Sequence, residues 1–255
     1  MPSISQHVQA LNACNQRGGR MLSLVDLLEA GTIDLPLAAY LAAAMRRGAS
    51  LLVGANPGGA GKTAVMVALL NFLPDGVALR AVESRAVLAA ARRDSRPGST
   101  CYLAHEISPA TYYYAYLWGA DARSFFALRA AGHLIVSNLH ADTLAEAREQ
   151  LCGENGVDPA HLRAVTLKVF LGVERGRGWS MKRWLSAVYE SDGTEERLLW
   201  TGKAPGDFTR EGESTVVTGA DEAHYADFLA ALREQDLRPI EAVRRALLRL
   251  SAQRL

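Results

Sequence analysis

The stretch VGANPGGAGKTAVMVALLNFL, residues 53 to 73, decides how the rest of the chain is read. It overlaps SLLVGA (50–55), a short apolar run that predicts a buried strand. It continues into KTAVMVALLNFL (62–73), which predicts a helix stopped at Pro74. Between them lies a loop with Gly58, Gly59 and Gly61 that ends in Lys62 and Thr63. A strand, a glycine-rich loop and a helix in that order can cradle phosphate. Backbone N–H groups turn inward, the helix N-terminus faces the anion, a lysine reaches the outer phosphates and a hydroxyl holds Mg²⁺. The strict pattern is G-x-x-x-x-G-K-[ST], and counting back from Gly61 puts Asn56 where the first glycine belongs. Asparagine tolerates a left-handed backbone, so the departure is expected to be mild. Asn56, Pro57, Gly58, Gly59, Ala60, Gly61, Lys62 and Thr63 are therefore expected to bind ATP with Mg²⁺, Thr63 as a metal ligand. Lysine occurs four times among the 28 basic Lys and Arg residues. A lysine here fits a site that needs a flexible point charge.

Working outward, SLVDLLEAG (23–31) and DLPLAAYLAAAMRRG (34–48) have helical periodicity and each ends at glycine. GVALRAV (76–82), STCYLAHEI (99–107) and HLIVSNLHA (133–141) predict strands; ARSFFALRAAG (122–132) and TLAEAREQLCG (143–153) predict helices. This alternation implies an α/β fold with a mostly parallel sheet covered on both faces. The character changes after residue 160, where AVTLKVFLGVE, MKRWLSAVYES and ERLLWTG suggest a strand meander, followed by a terminal helix pair. Residues 1–22 are polar and are expected to be an irregular linker or remnant. The domain reading is thus 1–22 linker, 23–160 P-loop core and 161–255 a C-terminal extension of strands and helices.

Composition bounds the function. Of 255 residues 49% are apolar and 22% charged, as in an ordinary globular chain. The net charge of +1 creates no global field for nucleic acid or anionic lipid. Cys14, Cys101 and Cys152 are scattered and odd in number, which gives no disulfide framework or zinc spacing and fits a reducing compartment. No apolar run approaches the roughly 20 residues needed to span a bilayer.

In these motifs the chain resembles the secretion ATPase superfamily, whose members drive type II and type IV secretion, type IV and Tad pili and the archaellum. The resemblance runs from about residue 20 to residue 250. RMLSLVDLLEAGTIDLPLAAYLAAAMRRGASLLVGANPGGAGKT is similar to the family's lead-in and Walker A loop. AAGHLIVSNLHADTLAEAREQL resembles its histidine box, CYLAHEIS its Walker B strand and, more weakly, VALRAVESRAVL its acidic box. The resemblance implies a RecA-like P-loop NTPase core. It implies that Lys62 grips the outer phosphates and Thr63 ligates Mg²⁺. Glu106 would hold the metal through water or polarise the attacking water, Glu83 would be the general base or a water-orienting carboxylate, and His140 would sense or contact the γ-phosphate with His133 nearby. Asn56, Ser84, His105 and Ser108 depart from the family's pattern. The family's separate N-terminal domain is expected to be absent, and Arg17, Arg20, Arg80 and Arg85 are candidates to supply the cations it would contribute. The aromatic TYYYAYLW (111–118) reads as an insertion whose rings serve helix packing, with a partner surface as the alternative.

Two functions follow. The first is an ATP-hydrolysing motor subunit, a cytoplasmic homo-oligomer and by resemblance a hexamer. It would act at the inner face of the membrane on a polytopic platform protein, with no nucleic-acid partner. The second is a structural or regulatory nucleotide-binding subunit that hydrolyses little. An unrelated small-molecule kinase is disfavoured by the histidine box.

Overall fold

The computed structural model describes residues 3–15, 18–111, 113–176 and 181–252. The apolar run before the glycine loop forms β1 (Leu51–Gly54), all four residues buried. Among the described residues nine strands make one sheet. β1 lies inside it, parallel to β5 (Leu134–Leu139) on one side and to β6 (Leu167–Arg175) on the other. β3 (Thr100–Ile107) continues beyond β5, and β2 (Ala78–Ala81) forms that edge, both parallel. The short β4 (Tyr116–Leu117) pairs with the end of β3. On the far side β7 (Met181–Ser191), β8 (Glu196–Ala204) and β9 (Asp207–Arg210) follow β6 as an antiparallel meander.

Strand alternation divides the core in two. Leu51, Val53, Leu103 and Val136 face one cluster, and Leu52, Tyr102 and Ile135 face the other. Over the first face lie α1 (Ile4–Ala13), α2 (Leu24–Glu29), α3 (Leu35–Arg46), α4 (Lys62–Leu70), α9 (Gly219–Glu234) and α10 (Ile240–Ala252). Over the second lie α5 (Arg85–Ala91), α6 (Ala120–Ala130), α7 (Leu144–Arg148), a π-helical turn (Glu149–Glu154) and α8 (Pro159–Arg163). The fold is α/β with a mostly parallel central sheet, as the alternation of elements predicts.

Two expectations change. The first residues are not irregular: α1 has a capping box, with Ser3 and Gln6 exchanging side-chain and backbone bonds. It buries His7, Leu11 and Cys14, one stripe at helical spacing, and packs on α10 and β2. That stripe is short and interrupted by polar residues, which hid it in the sequence. The sheet also runs without a break across residue 160. β6 pairs with β1 at the centre, and α9 and α10 pack on α3 and α1.

Candidate functional site

All parallel strands end at one sheet edge, and the crevice outside the carboxyl ends is where such folds hold ligands. β1 delivers the loop 55–61 there, β3 delivers Glu106 and β5 delivers His140. Gly59 and Gly61 have φ of 85° and 103°, backbone that only glycine adopts freely, and Gly61 opens α4. A cavity of about 290 Å³ lies over this loop. One wall is residues 58–64 with Glu106 and His140; the other is the chain after α1, including Cys14, Arg20 and Met21.

Lys62 is the centre of the arrangement. Its ammonium lies 2.9 Å from Glu106 Oε1 and donates to the Ala55 carbonyl at 2.8 Å. His140 Nε2 is 3.0 Å from the same Glu106 oxygen. His140 Nδ1 faces Lys62 Nζ at 3.4 Å and the Asn56 carbonyl at 3.2 Å. Both charged side chains are nearly buried, 10% and 11% exposed, so each needs the other. Burial alone would raise the Glu106 carboxyl. The Lys62 charge and hydrogen bond, the Tyr116 hydroxyl and His140 outweigh it and hold Glu106 below its ordinary value. Thr63 Oγ1 accepts from Asn138 Nδ2 at 3.4 Å, and the same amide donates to the His105 carbonyl at 2.9 Å.

Asn56 does not use the left-handed backbone expected of it. Among the described residues other than glycine, positive φ occurs at Ala115 and Asp236. Asn56 is instead a connector. Its N–H donates to Asp142 Oδ1 at 2.7 Å, and its amide donates to Asp142 Oδ2 and Glu146 Oε2, both at 3.0 Å. It ties the start of the loop to the segment after His140, and a glycine could not offer the amide.

The remaining predicted residues separate. Lys62, Thr63, Glu106 and His140 are brought together. Glu83 follows β2, exposed, and has no part in the cavity wall. His133 precedes β5 and stacks edge-on with Tyr102 at 5.4 Å, at the opposite sheet edge from His140, so it is not near the glycine loop. Six residues of strand separate the two histidines, roughly 20 Å. Arg20 lines the cavity but is paired with Asp26 at 2.7 Å. Arg85 pairs with Asp121 at 3.0 Å, Arg80 is exposed on β2, and Arg17 lies outside the described residues. TYYYAYLW, described except for Tyr112, forms a loop and β4 rather than a helix.

Three residues escaped sequence reading. Asn138 interrupts an apolar strand, a signal that was present. Arg183, on β7, donates to the Gly59 carbonyl at 3.2 Å from Nη2 and braces the loop from outside. Its distance of 124 positions from Gly59 left no local signal. Tyr116 is the third.

The residues fit a nucleoside triphosphate with Mg²⁺. The loop offers left-handed glycines, a buried cation and a hydroxyl at a helix N-terminus. A Cβ on Gly58 would meet nothing within 4 Å, so the approach to the loop is open. Among the described residues no cluster of three His, Cys, Asp or Glu could hold a metal unaided. A divalent ion here would take phosphate oxygens and water beside Thr63, the usual habit of Mg²⁺. The nucleotide would supply the phosphoanhydride bond and its leaving group.

No family model matches the chain, and no curated protein matches it. Solved structures do resemble it. The VirB11 ATPase of the Brucella suis type IV secretion system, in complex with sulphate, is 20% identical with a TM-score of 0.44, over 66% of this chain and 54% of that one. The pilus retraction motor PilT with bound ADP is 11% identical with a TM-score of 0.40, over 77% and 56%. The Yersinia pseudotuberculosis ATPase DotB is 11% identical with a TM-score of 0.45, over 85% and 56%. This chain therefore spans a little over half the length of each of those structures. At these identities and TM-scores the resemblance stands as a likeness, and a functional reading rests on the residues around Lys62.

Proposed function

We propose that this chain binds ATP with Mg²⁺ on the 56–63 loop and hydrolyses it as a motor subunit of a secretion or pilus-type assembly machine. The observation that carries the nucleotide site is the Lys62–Glu106–His140 cluster at the mouth of a left-handed glycine loop. Phosphoryl transfer needs charge neutralisation and a positioned water more than covalent help. Lys62 supplies the cation. Glu106, kept ionised, supplies the carboxylate that orients water or the metal's water shell. His140 stands where a γ-phosphate and Glu106 would both be in reach. The motor role is supported by the sequence resemblance of the Walker and histidine boxes. It implies a homo-oligomer, by resemblance a hexamer, working against a membrane platform protein from the cytoplasmic side. No helix among the described residues is long and apolar enough to cross a membrane.

Lys62→Ala should remove most affinity for ATP·Mg²⁺ in calorimetry. Glu106→Gln should keep affinity and lower turnover on the order of 10² or more. Unchanged affinity in the first variant would sink the site. Wild-type turnover in the second would make Glu106 structural. Light scattering with a non-hydrolysable analogue should report a ring-sized assembly, because a ligand at an interface favours the assembled state. A monomer at high protein concentration would count against the motor.

A second reading, a nucleotide-binding subunit that hydrolyses little, has one observation in its favour. Glu83 stands outside the cavity wall, which leaves Glu106 as the one carboxylate lining it among the described residues. Steady turnover below about one per minute with intact binding would select it; active enzymes run at roughly 1–10³ s⁻¹.

A further inference from the structure

Two features of the cavity wall are not among the residues assigned to the phosphates above, Tyr116 of the aromatic insert and His105 before Glu106. They meet each other there. Tyr116 lies in register opposite Glu106 in the β3–β4 pairing. The pairing is pinned on both sides, by the His105 N–H donating to the Ala115 carbonyl at 2.7 Å and the Ser108 N–H donating to the Leu117 carbonyl at 3.0 Å. Ala115 is buried with a φ of 55°, a left-handed conformation that alanine keeps only when its surroundings impose it. The His105 imidazole lies flat on the Tyr116 ring, centroids 5.5 Å apart and planes 9° apart. Its Nε2 is 3.0 Å from the Cys14 carbonyl, in the opposite wall of the cavity. Facing each other in a parallel pair, Tyr116 and Glu106 present their side chains on one face, both in the cavity wall, and the tyrosine hydroxyl is among the groups that hold the Glu106 carboxyl low.

We propose that Tyr116 is a positioning residue that holds the Glu106 carboxylate in place when Lys62 turns to phosphate, and that His105, anchored on Cys14, holds the Tyr116 ring. The inference rests on the hydrolytic reading above. Lys62 cannot grip a phosphate and stay on Glu106 Oε1 at once. When it leaves, Glu106 loses its strongest partner and retains His140 and Tyr116. A hydroxyl donating to a carboxylate is a charge-assisted bond, strong enough to fix its orientation. Losing it corresponds to a tenfold to hundredfold effect.

The test is Tyr116→Phe, which keeps the ring and its stack and removes only the hydroxyl. The expected result is a kcat for ATP lowered roughly ten- to a hundredfold with KM changed less than about twofold. A second measurement needs no nucleotide: thermal unfolding of Tyr116→Phe, Glu106→Gln and the double variant. The double variant should lose less than the sum of the single losses, the mark of two groups in contact. Unchanged turnover in Tyr116→Phe overturns the proposal, as does an additive cycle. A KM that rises as far as kcat falls would make the tyrosine a direct nucleotide contact, and also overturns it. A non-additive cycle in a protein that does not turn over ATP upholds the Tyr116–Glu106 bond and overturns the hydrolytic reading instead. His105→Phe keeps a ring over Tyr116 but cannot bond to Cys14, and should cost turnover less than Tyr116→Phe. Full turnover there removes His105 from the device.

Discussion

At the scale of single residues the loop shows how one side chain can do another's work. Glycine at the first loop position would serve flexibility, yet Asn56 sits in ordinary backbone and spends its amide on Asp142 and Glu146. Asn56→Gly should therefore destabilise the protein modestly, by about 1 kcal/mol, because two carboxylates lose a neutral donor at an exposed site. Asn56→Asp should do more, since three carboxylates would crowd the approach to the phosphates. Affinity for a fluorescent ATP analogue should fall about tenfold at low salt and recover toward 1 M salt, where the Debye length shrinks to about 3 Å. A loss that ignores salt would show that geometry rather than charge is at fault. Gly61→Val should abolish binding outright. The backbone there has φ 103°, and an added Cβ would stand 3.2 Å from Arg183 Cδ. A variant that still binds the analogue would mean that the loop can be rebuilt without its left-handed turn.

At the scale of elements, α4 carries the loop at one end and must be held at the other. The C-cap and the chain just after it are met by a buried cation: Arg244 donates to the carbonyls of Asn71 at 2.9 Å, Leu73 at 2.5 Å and Pro74 at 3.5 Å. Arg46 adds a bond to the Leu73 carbonyl and a salt bridge to Asp75 at 2.7 Å. Positive charge at a helix C-terminus also complements the helix dipole. Burial lowers the Arg244 guanidinium to about 10, and it stays charged at neutral pH. Arg244→Met fills similar volume and strips the Asn71 carbonyl of this donor, while Leu73 keeps Arg46 and Pro74 keeps the Val77 N–H, at a cost of about 2–3 kcal/mol. For a domain this size that is a fall in Tm of roughly 5–15 °C. A shift under about 2 °C would mean that water replaces the guanidinium. The π-helical turn plays a similar part on the other face, where Gln150 donates to the Ile107 carbonyl at 3.0 Å, next to Glu106.

At the scale of the whole molecule, α1 ties the chain's first elements to its last, and it titrates. Burial, with Arg244 nearby, lowers the His7 imidazole to about 4. The unfolded chain, with a histidine near 6.5, takes up the proton first. Stability from this residue is therefore complete above about pH 6.5 and is lost as pH falls toward 4, about 3 kcal/mol across the window. His7→Leu should flatten that slope. Urea midpoints at pH 7 and pH 5 check it: the natural protein should lose more than the variant, and equal losses would remove His7 as the cause. Below pH 4 the carboxylates held low by cations, Asp75 and Glu196 beside Arg46 and Lys168 among them, add their own acid loss with the same sign.

The strand, loop and helix around Lys62 were legible because each is encoded by neighbours in sequence: an apolar run of strand length, glycines, then an apolar helix. The alternation of elements likewise determined the α/β class. The acid after an apolar strand and the histidine after another marked Glu106 and His140, since parallel strands bring their carboxyl ends to one edge. Side-chain partners across long separations had no such code. Tertiary structure alone decided that β6 joins β1 at the centre of one sheet, that α1 is a docked helix, and that His133 sits at the far edge. It alone placed Arg183 behind Gly59 and Tyr116 on Glu106. Local periodicity determines which way a residue faces, whereas the group it meets depends on strand order and register, and those are set by packing the whole core.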